Sequence, residues 1–161
     1  MARAPFSAIT PSVCNLRPTS RGFVRVKSKN PLDHPEIRLN YLATDEDRRV
    51  AVDGMRFTRR IMAARALAAY QPEEFRPGVE IQDEEQLEKA AGQLGTTIFH
   101  PVGTCKMGND PMAVVDDELR VRGINRLRVV DASIFPRITS GNTNAPTYVI
   151  AEKGARAILK P

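Results

Sequence analysis

Residues 127–158, LRVVDASIFPRITSGNTNAPTYVIAEKGARAI, carry the local signals that decide how the C-terminal part of the chain is built. Leu127–Val130 is a short apolar run that predicts a buried strand, and it ends on Asp131, which places an acid at the strand's carboxyl end. Pro146 falls in the first turn of a predicted final helix, where its missing N–H costs nothing. Asn142, Thr143 and Asn144 precede it as cap candidates, and Ile150, Gly154, Ala157 and Ile158 form an apolar stripe at helical spacing. In SGNTNAPT, residues 140–147, two amide side chains one residue apart thus meet the positive end of a helix dipole. That arrangement serves either as plain capping or as a binding spot for a carbonyl, alkoxide or other electron-rich atom.

Upstream lies FHPVGTCKMG, residues 99–108, an apolar, glycine-punctuated segment. His100 precedes Pro101, which biases it to an extended backbone. On the residues alone it reads as a half-buried histidine that needs one partner, with a catalytic role as the competing reading. The other histidine, His34 in NPLDHPE, reads as a solvated turn residue. Several standard sites are excluded by spacing. GTCKMG, residues 103–108, continues with Asn109 and Asp110 where a phosphate loop requires Lys and Ser/Thr. His100 and Cys105 lack a further His/Cys pair for zinc. There is no GxSxG elbow to activate Ser133 or Ser140, and no GxGxxG to bind a dinucleotide.

Toward the N-terminus, Gly22–Ser28 predicts a strand, and Asn30, Pro31, Asp33 and Pro35 a turn. In Glu36–Leu42, Ile37, Leu39 and Tyr41 alternate with Arg38 and Asn40, which predicts a second strand antiparallel to the first. Thr44 opens a helix with Asp45, Glu46 and Asp47 in its first turn. Its predicted apolar face is Val50, Gly54, Phe57, Ile61, Ala64 and Ala68, and Pro72 is its predicted end. A second helix is predicted from Asp83, with Gln86 as a capping-box partner, burying Leu87, Ala90, Ala91 and Leu94 and stopping at Gly95.

With 161 residues, 42% hydrophobic and 27% charged, the chain fits one soluble domain, and it has no apolar run of 18 residues. The first residues lack the h-region of a secretory signal, so the expectation is a cytoplasmic protein whose Cys14 and Cys105 stay thiols. The net charge of +5 raises nucleic-acid binding as a function class. Its densest stretch, RPTSRGFVRVKSK, spaces Arg21, Arg25 and Lys27 around Phe23, Val24 and Val26 as the wet face of a strand does, with no basic helix or zinc spacing beside it. No nucleic-acid partner is expected.

Four stretches in order, LRPTSRGFVRV, HPVGTCKMG, LRVVDASIFP and SGNTNAPTYVIAEKGA, resemble the C-terminal part of the glucose-methanol-choline oxidoreductases, choline-dehydrogenase-like members above all. The resemblance runs from Val13 to Ile158. It implies an α+β fold, a mixed or mainly antiparallel sheet backed by helices, with the FAD-binding Rossmann domain absent from these residues. Residues 1–161 would form one substrate-binding domain: 13–126 its sheet and helices, 127–161 a strand and helix that pack on the FAD domain. The abrupt start suggests an expressed fragment or a truncated gene product rather than half of a split protein.

The implied chemistry is FAD-dependent oxidation of a small, choline-like alcohol, in which the hydroxyl loses a proton while hydride passes from its carbon to the flavin. Matched to the family's motifs, His100 falls on the catalytic histidine and Asn142 on a second catalytic position that is histidine or asparagine. Asp131 and Ala132 match a segment beside the ribityl-pyrophosphate of FAD. Asn144, Ala145, Pro146 and Thr147 match a turn at the flavin's pyrimidine edge. An imidazole of ordinary pKa, about 6.5, can take a proton near neutral pH, whereas an asparagine contributes only oriented hydrogen bonds. FAD is expected in the intact protein and not on this chain alone, which would be inactive, would associate with the FAD-binding domain of its own protein, and would self-associate through exposed apolar surface. The location implied is cytoplasmic or peripheral to the inner membrane. The alternative reading is a non-catalytic relic or stand-alone interaction module of the same fold.

Overall fold

The computed structural model describes residues 6–159. The elements are strands β1 (Phe23–Arg25) and β2 (Glu36–Arg38) and helices α1 (Asp45–Met62), α2 (Glu84–Leu94) and α3 (Asn144–Leu159), with 3₁₀ turns at Arg65–Tyr70 and Ala132–Ile134. They divide into two compact units that interleave along the chain. One joins the residues up to Ser20 with Tyr41–Thr96; the other joins Arg21–Asn40 with the chain from Thr97 onward.

In the first unit Thr44 caps α1, its hydroxyl accepting from the Asp47 amide, and Asp83 caps α2, its carboxylate accepting from the amides of Glu85 and Gln86. The helices pack through Val52, Leu87 and Ala90, all buried. Arg48 pairs with Glu88 at 3.4 Å and Arg56 with Glu84 at 3.6 Å, so the helices run antiparallel and α2 begins beside Arg56. This corrects the predicted face of α1: beyond Arg56 the helix has outrun its neighbour, and Phe57 and Ile61 are exposed while Val52 and Gly54 are buried. The predicted end at Pro72 is also corrected. The α-helix stops at Met62, and Ala64 is extended before the 3₁₀ turn begins. Arg59 holds Glu74 through two bonds of 2.9 and 2.8 Å and donates to the Gly78 carbonyl at 3.1 Å. A helix continued to Pro72 would carry the chain about 20 Å beyond Arg59. The chain has to turn back for that pair to form.

Asp47, buried on α1, fastens the preceding segment. Its carboxylate accepts from Asn15 Nδ2 at 3.1 Å, from the Thr19 amide at 2.9 Å and from the Ser20 amide at 2.8 Å. Burial opposes its ionisation, but the bonds from Ser20 and Thr19 outweigh burial and hold the carboxyl below the usual range.

In the second unit β1 and β2 pair antiparallel as expected, with Phe23 opposite Arg38 and Arg25 opposite Glu36. Each strand is three residues, shorter than predicted. Asn40 (φ 54°) and Leu42 (φ 56°) leave the extended region, while Ser28 and Asn30 are drawn into side-chain bonds with Asp33. Leu127–Val130 is not the predicted strand: Arg128 forms one isolated bridge with Arg120. Left-handed residues at Leu119, Gly123 and Arg126 reverse the chain too often for a ladder to extend. The core is instead irregular backbone around Val115, Leu119 and Ile134, flanked by Met107, Val129, Val130 and Ile150. Helix α3 lies on it through Gly154, where an added Cβ would strike Val130 Cγ1 and lie 3.4 Å from Leu119 Cδ1. Ile158, predicted in the same stripe, is exposed because it lies past these contacts.

Two outcomes are expected. Asp47→Ala removes the buried carboxylate that gathers the Asn15, Thr19 and Ser20 donors and should lower unfolding free energy at pH 7 by about 2–3 kcal/mol. The depressed carboxyl contributes stability above its unfolded pKa, near 4, and loses it as pH falls through the lower folded value. Urea titrations should therefore show the gap between wild type and variant closing below pH 4 and constant above pH 5. Gly154→Ala should cost roughly 1–3 kcal/mol through overpacking against Val130, read as a lower thermal midpoint.

Candidate functional site

The segment after α2 carries no helix or strand, so its amides need partners elsewhere. They find them on the turn that Asp131 starts. Asp131 Oδ1 accepts from the Ser133 amide at 2.7 Å, capping the 3₁₀ turn. The Ser133 carbonyl then accepts from both Gly103 and Cys105 at 3.0 Å, and the Ile134 carbonyl from Met107 at 2.7 Å. Gly103 has φ 91°, and a Cβ there would lie 3.3 Å from the Phe135 carbonyl, so this position requires glycine. HPVGTCKMG is thereby tied, backbone to backbone, to DASIF, whose Ile134 is wholly buried.

His100 lies at the upstream end of this segment and is half-buried. Phe99 before it is left-handed at φ 63° and 81% exposed, a strained conformation for an aromatic residue. The imidazole Nδ1 is 3.1 Å from the Phe99 carbonyl and 3.1 Å from the Thr143 hydroxyl. A carbonyl only accepts, so this contact places the hydrogen of the neutral ring on Nδ1. Nε2 is left as the basic nitrogen and has no hydrogen-bond partner among the described residues.

Thr143 is buried, 6% exposed, at the cap position of α3. Its carbonyl accepts the amide of Thr147 at 3.0 Å and the Thr147 hydroxyl at 2.7 Å. The structure thus brings His100 to the start of α3, next to Asn142 in the chain. Asn142 itself is exposed and has no hydrogen-bond partner among the described residues. Asn144 and Ala145 are exposed on the first turn of α3, and Pro146 and Thr147 are half-buried. Asp131 is exposed and Ala132 half-buried, on the turn that carries the His100 segment. Thr143 is the residue sequence reasoning did not assign to the site; it was legible only as a cap candidate. Cys14 and Cys105 are free thiols, and His34 is exposed. No described helix is long and apolar enough to cross a membrane.

A family profile described as GMC oxidoreductase matches residues 18–151. The chain belongs to the GMC oxidoreductase family. Among curated relatives it is similar to oxygen-dependent choline dehydrogenase of Pseudomonas fluorescens strain SBW25, 54% identical over 144 residues that make up 89% of this chain and 25% of that protein. It is 49% identical over 151 residues to the protein of the same name from Proteus mirabilis strain HI4320, covering 92% of this chain and 27% of the relative. The chain spans about a quarter of the length of the curated relatives it matches. Among solved structures it is similar to pyridoxine 4-oxidase from Mesorbium loti, with TM-score 0.81, 37% identity, and coverage of 88% of this chain and 28% of that one. An FAD-dependent oxidoreductase from Chaetomium thermophilum gives TM-score 0.81 at 35% identity, covering 90% and 25%. These likenesses bear out the family and the α+β C-terminal domain that the four motifs implied.

Gly103→Ala should cost about 1–2 kcal/mol, because alanine at positive φ is strained and meets the Phe135 carbonyl. Amide hydrogen exchange should localise the loss of protection to Gly103, Cys105 and Met107.

Proposed function

We propose that this chain is the substrate side of an FAD-dependent dehydrogenase of choline-like alcohols, with His100 and Asn142 as its catalytic pair. One observation carries the reading: His100 is bonded to Thr143, which places the imidazole at the N-terminal end of α3, beside Asn142 in the chain, with Nε2 unpaired. Nε2 takes the hydroxyl proton as the alcohol is oxidised. The Asn142 amide, which does not titrate, holds and orients the alcohol oxygen.

The residues also fit one edge of a flavin. Asn144 and Ala145 are exposed at the positive end of a 16-residue helix whose first amides have no intrahelical partners, which favours an electron-rich group. Asp131 and Ala132 would face the ribityl-pyrophosphate region, with Asn144–Thr147 beside the pyrimidine edge. FAD, when bound, supplies the acceptor for the hydride that leaves the alcohol carbon.

Exposed apolar side chains near the site support a covering partner. Ile98 and Phe99 adjoin His100; Tyr148 (74% exposed) and Val149 lie in the first turns of α3. We read this surface as the seat of an FAD-binding domain; the described residues by themselves would be inactive and would self-associate.

The test supplies the flavin-binding portion of a relative in trans and follows flavin reduction on adding choline or a small alcohol. Alcohol-dependent reduction is expected only with both parts present, and His100→Ala should slow it by roughly 10²–10⁴-fold. Reduction unaffected by His100→Ala would overturn the catalytic assignment. No reduction with a flavin-loaded, assembled pair would instead favour the non-catalytic interaction module.

A further inference from the structure

We propose that Thr143 is a positioning residue that holds the His100 ring with Nδ1 against the Phe99 carbonyl, the acceptor that keeps the hydrogen on Nδ1. The role rests on reading His100 as the base, since Nε2 can take a proton only while it is bare. Nδ1 has two neighbours at 3.1 Å, the Phe99 carbonyl and the Thr143 hydroxyl. The carbonyl requires hydrogen on Nδ1, so the hydroxyl oxygen serves as the second acceptor and turns its own hydrogen elsewhere. The carbonyl is main chain of the preceding residue and does not stop the ring from turning away from it. Thr143 is the anchor from outside the segment, 43 positions away in the chain.

The hydroxyl is available for a reason visible in α3. A cap threonine ordinarily accepts from the amide of the second or third helical residue. Here Asn144 is the first helical residue, so the third is Pro146, which has no N–H. The proline takes away the commonest partner of the cap hydroxyl, and the imidazole takes its place. Thr143 is itself held by burial and by the two bonds from Thr147 to its carbonyl, so its hydroxyl is a fixed point.

The experiment reads ring-nitrogen chemical shifts of the full chain labelled with ¹⁵N-histidine, with exposed His34 as internal reference. In alkaline buffer, wild type should show a protonated Nδ1 and a bare Nε2 at His100. Thr143→Val, which keeps the shape and deletes the hydroxyl, should move both nitrogens toward a mixture of tautomers, and Thr143→Ser should restore the wild-type pattern. If the valine variant does not fold, Thr143→Ala takes its place. In the flavin-complemented assembly, Thr143→Val should lower kcat about tenfold with KM nearly unchanged, and serine should recover it. Hydrogen on Nε2 in wild type, or a valine or alanine spectrum identical to wild type, overturns the proposal. The spectra need neither flavin nor alcohol, so they can fail while His100→Ala still abolishes oxidation, or succeed while it does not.

Discussion

One carbonyl, that of Ser133, accepts two amides, and the placement of the histidine segment depends on it. Residues 97–108 form no regular element, so backbone polarity has to be satisfied by another part of the chain. Ser133 and Ile134 provide that, on a turn whose hydrophobic member is sunk into the Val115–Leu119–Ile134 core. The imidazole is therefore connected to the best-packed part of its unit through main-chain bonds, which tolerate side-chain variation better than a packed loop would. The requirement appears at Gly103, where the chain has to take a left-handed step to offer two amides to one oxygen.

The imidazole on this support has uncharged hydrogen-bond partners. His100 is held by a carbonyl and a hydroxyl, and among the described residues no carboxylate is bonded to the ring. Asp131 uses one oxygen as a local cap, which explains its place in the chain without reference to any ligand and still leaves it exposed. Neutral partners set the direction of an imidazole without committing it to the charged form.

Features written in short spans of residues were legible before the structure. Thr44 and Asp83 announce helix starts because capping involves only the next three amides, and Gly95 closes α2 as read. The antiparallel pairing of β1 and β2 follows from the short turn between them. What was not legible depends on distant partners. The early end of α1 reflects Arg59 reaching Glu74, and the exposure of Phe57 and Ile61 reflects where α2 begins. Leu127–Val130 has the composition of a strand, but the turns around it leave room for a single bridge. His100 and the amide-rich turn stood out by residue type; their meeting through Thr143 did not, because a threonine before a helix reads as a cap unless the proline three residues later is taken into account.

The interleaving of the two units has a consequence for how this chain could be dissected or recombined. The backbone passes from one unit to the other after Ser20, returns after Asn40, and passes again after Thr96. No single nick yields both units whole. Severing at Thr96 strands the β1–β2 hairpin with the wrong partner, so any chimera that exchanges the histidine-bearing unit has to transplant two separate stretches of gene, with Arg21–Asn40 travelling alongside everything from Thr97 onward.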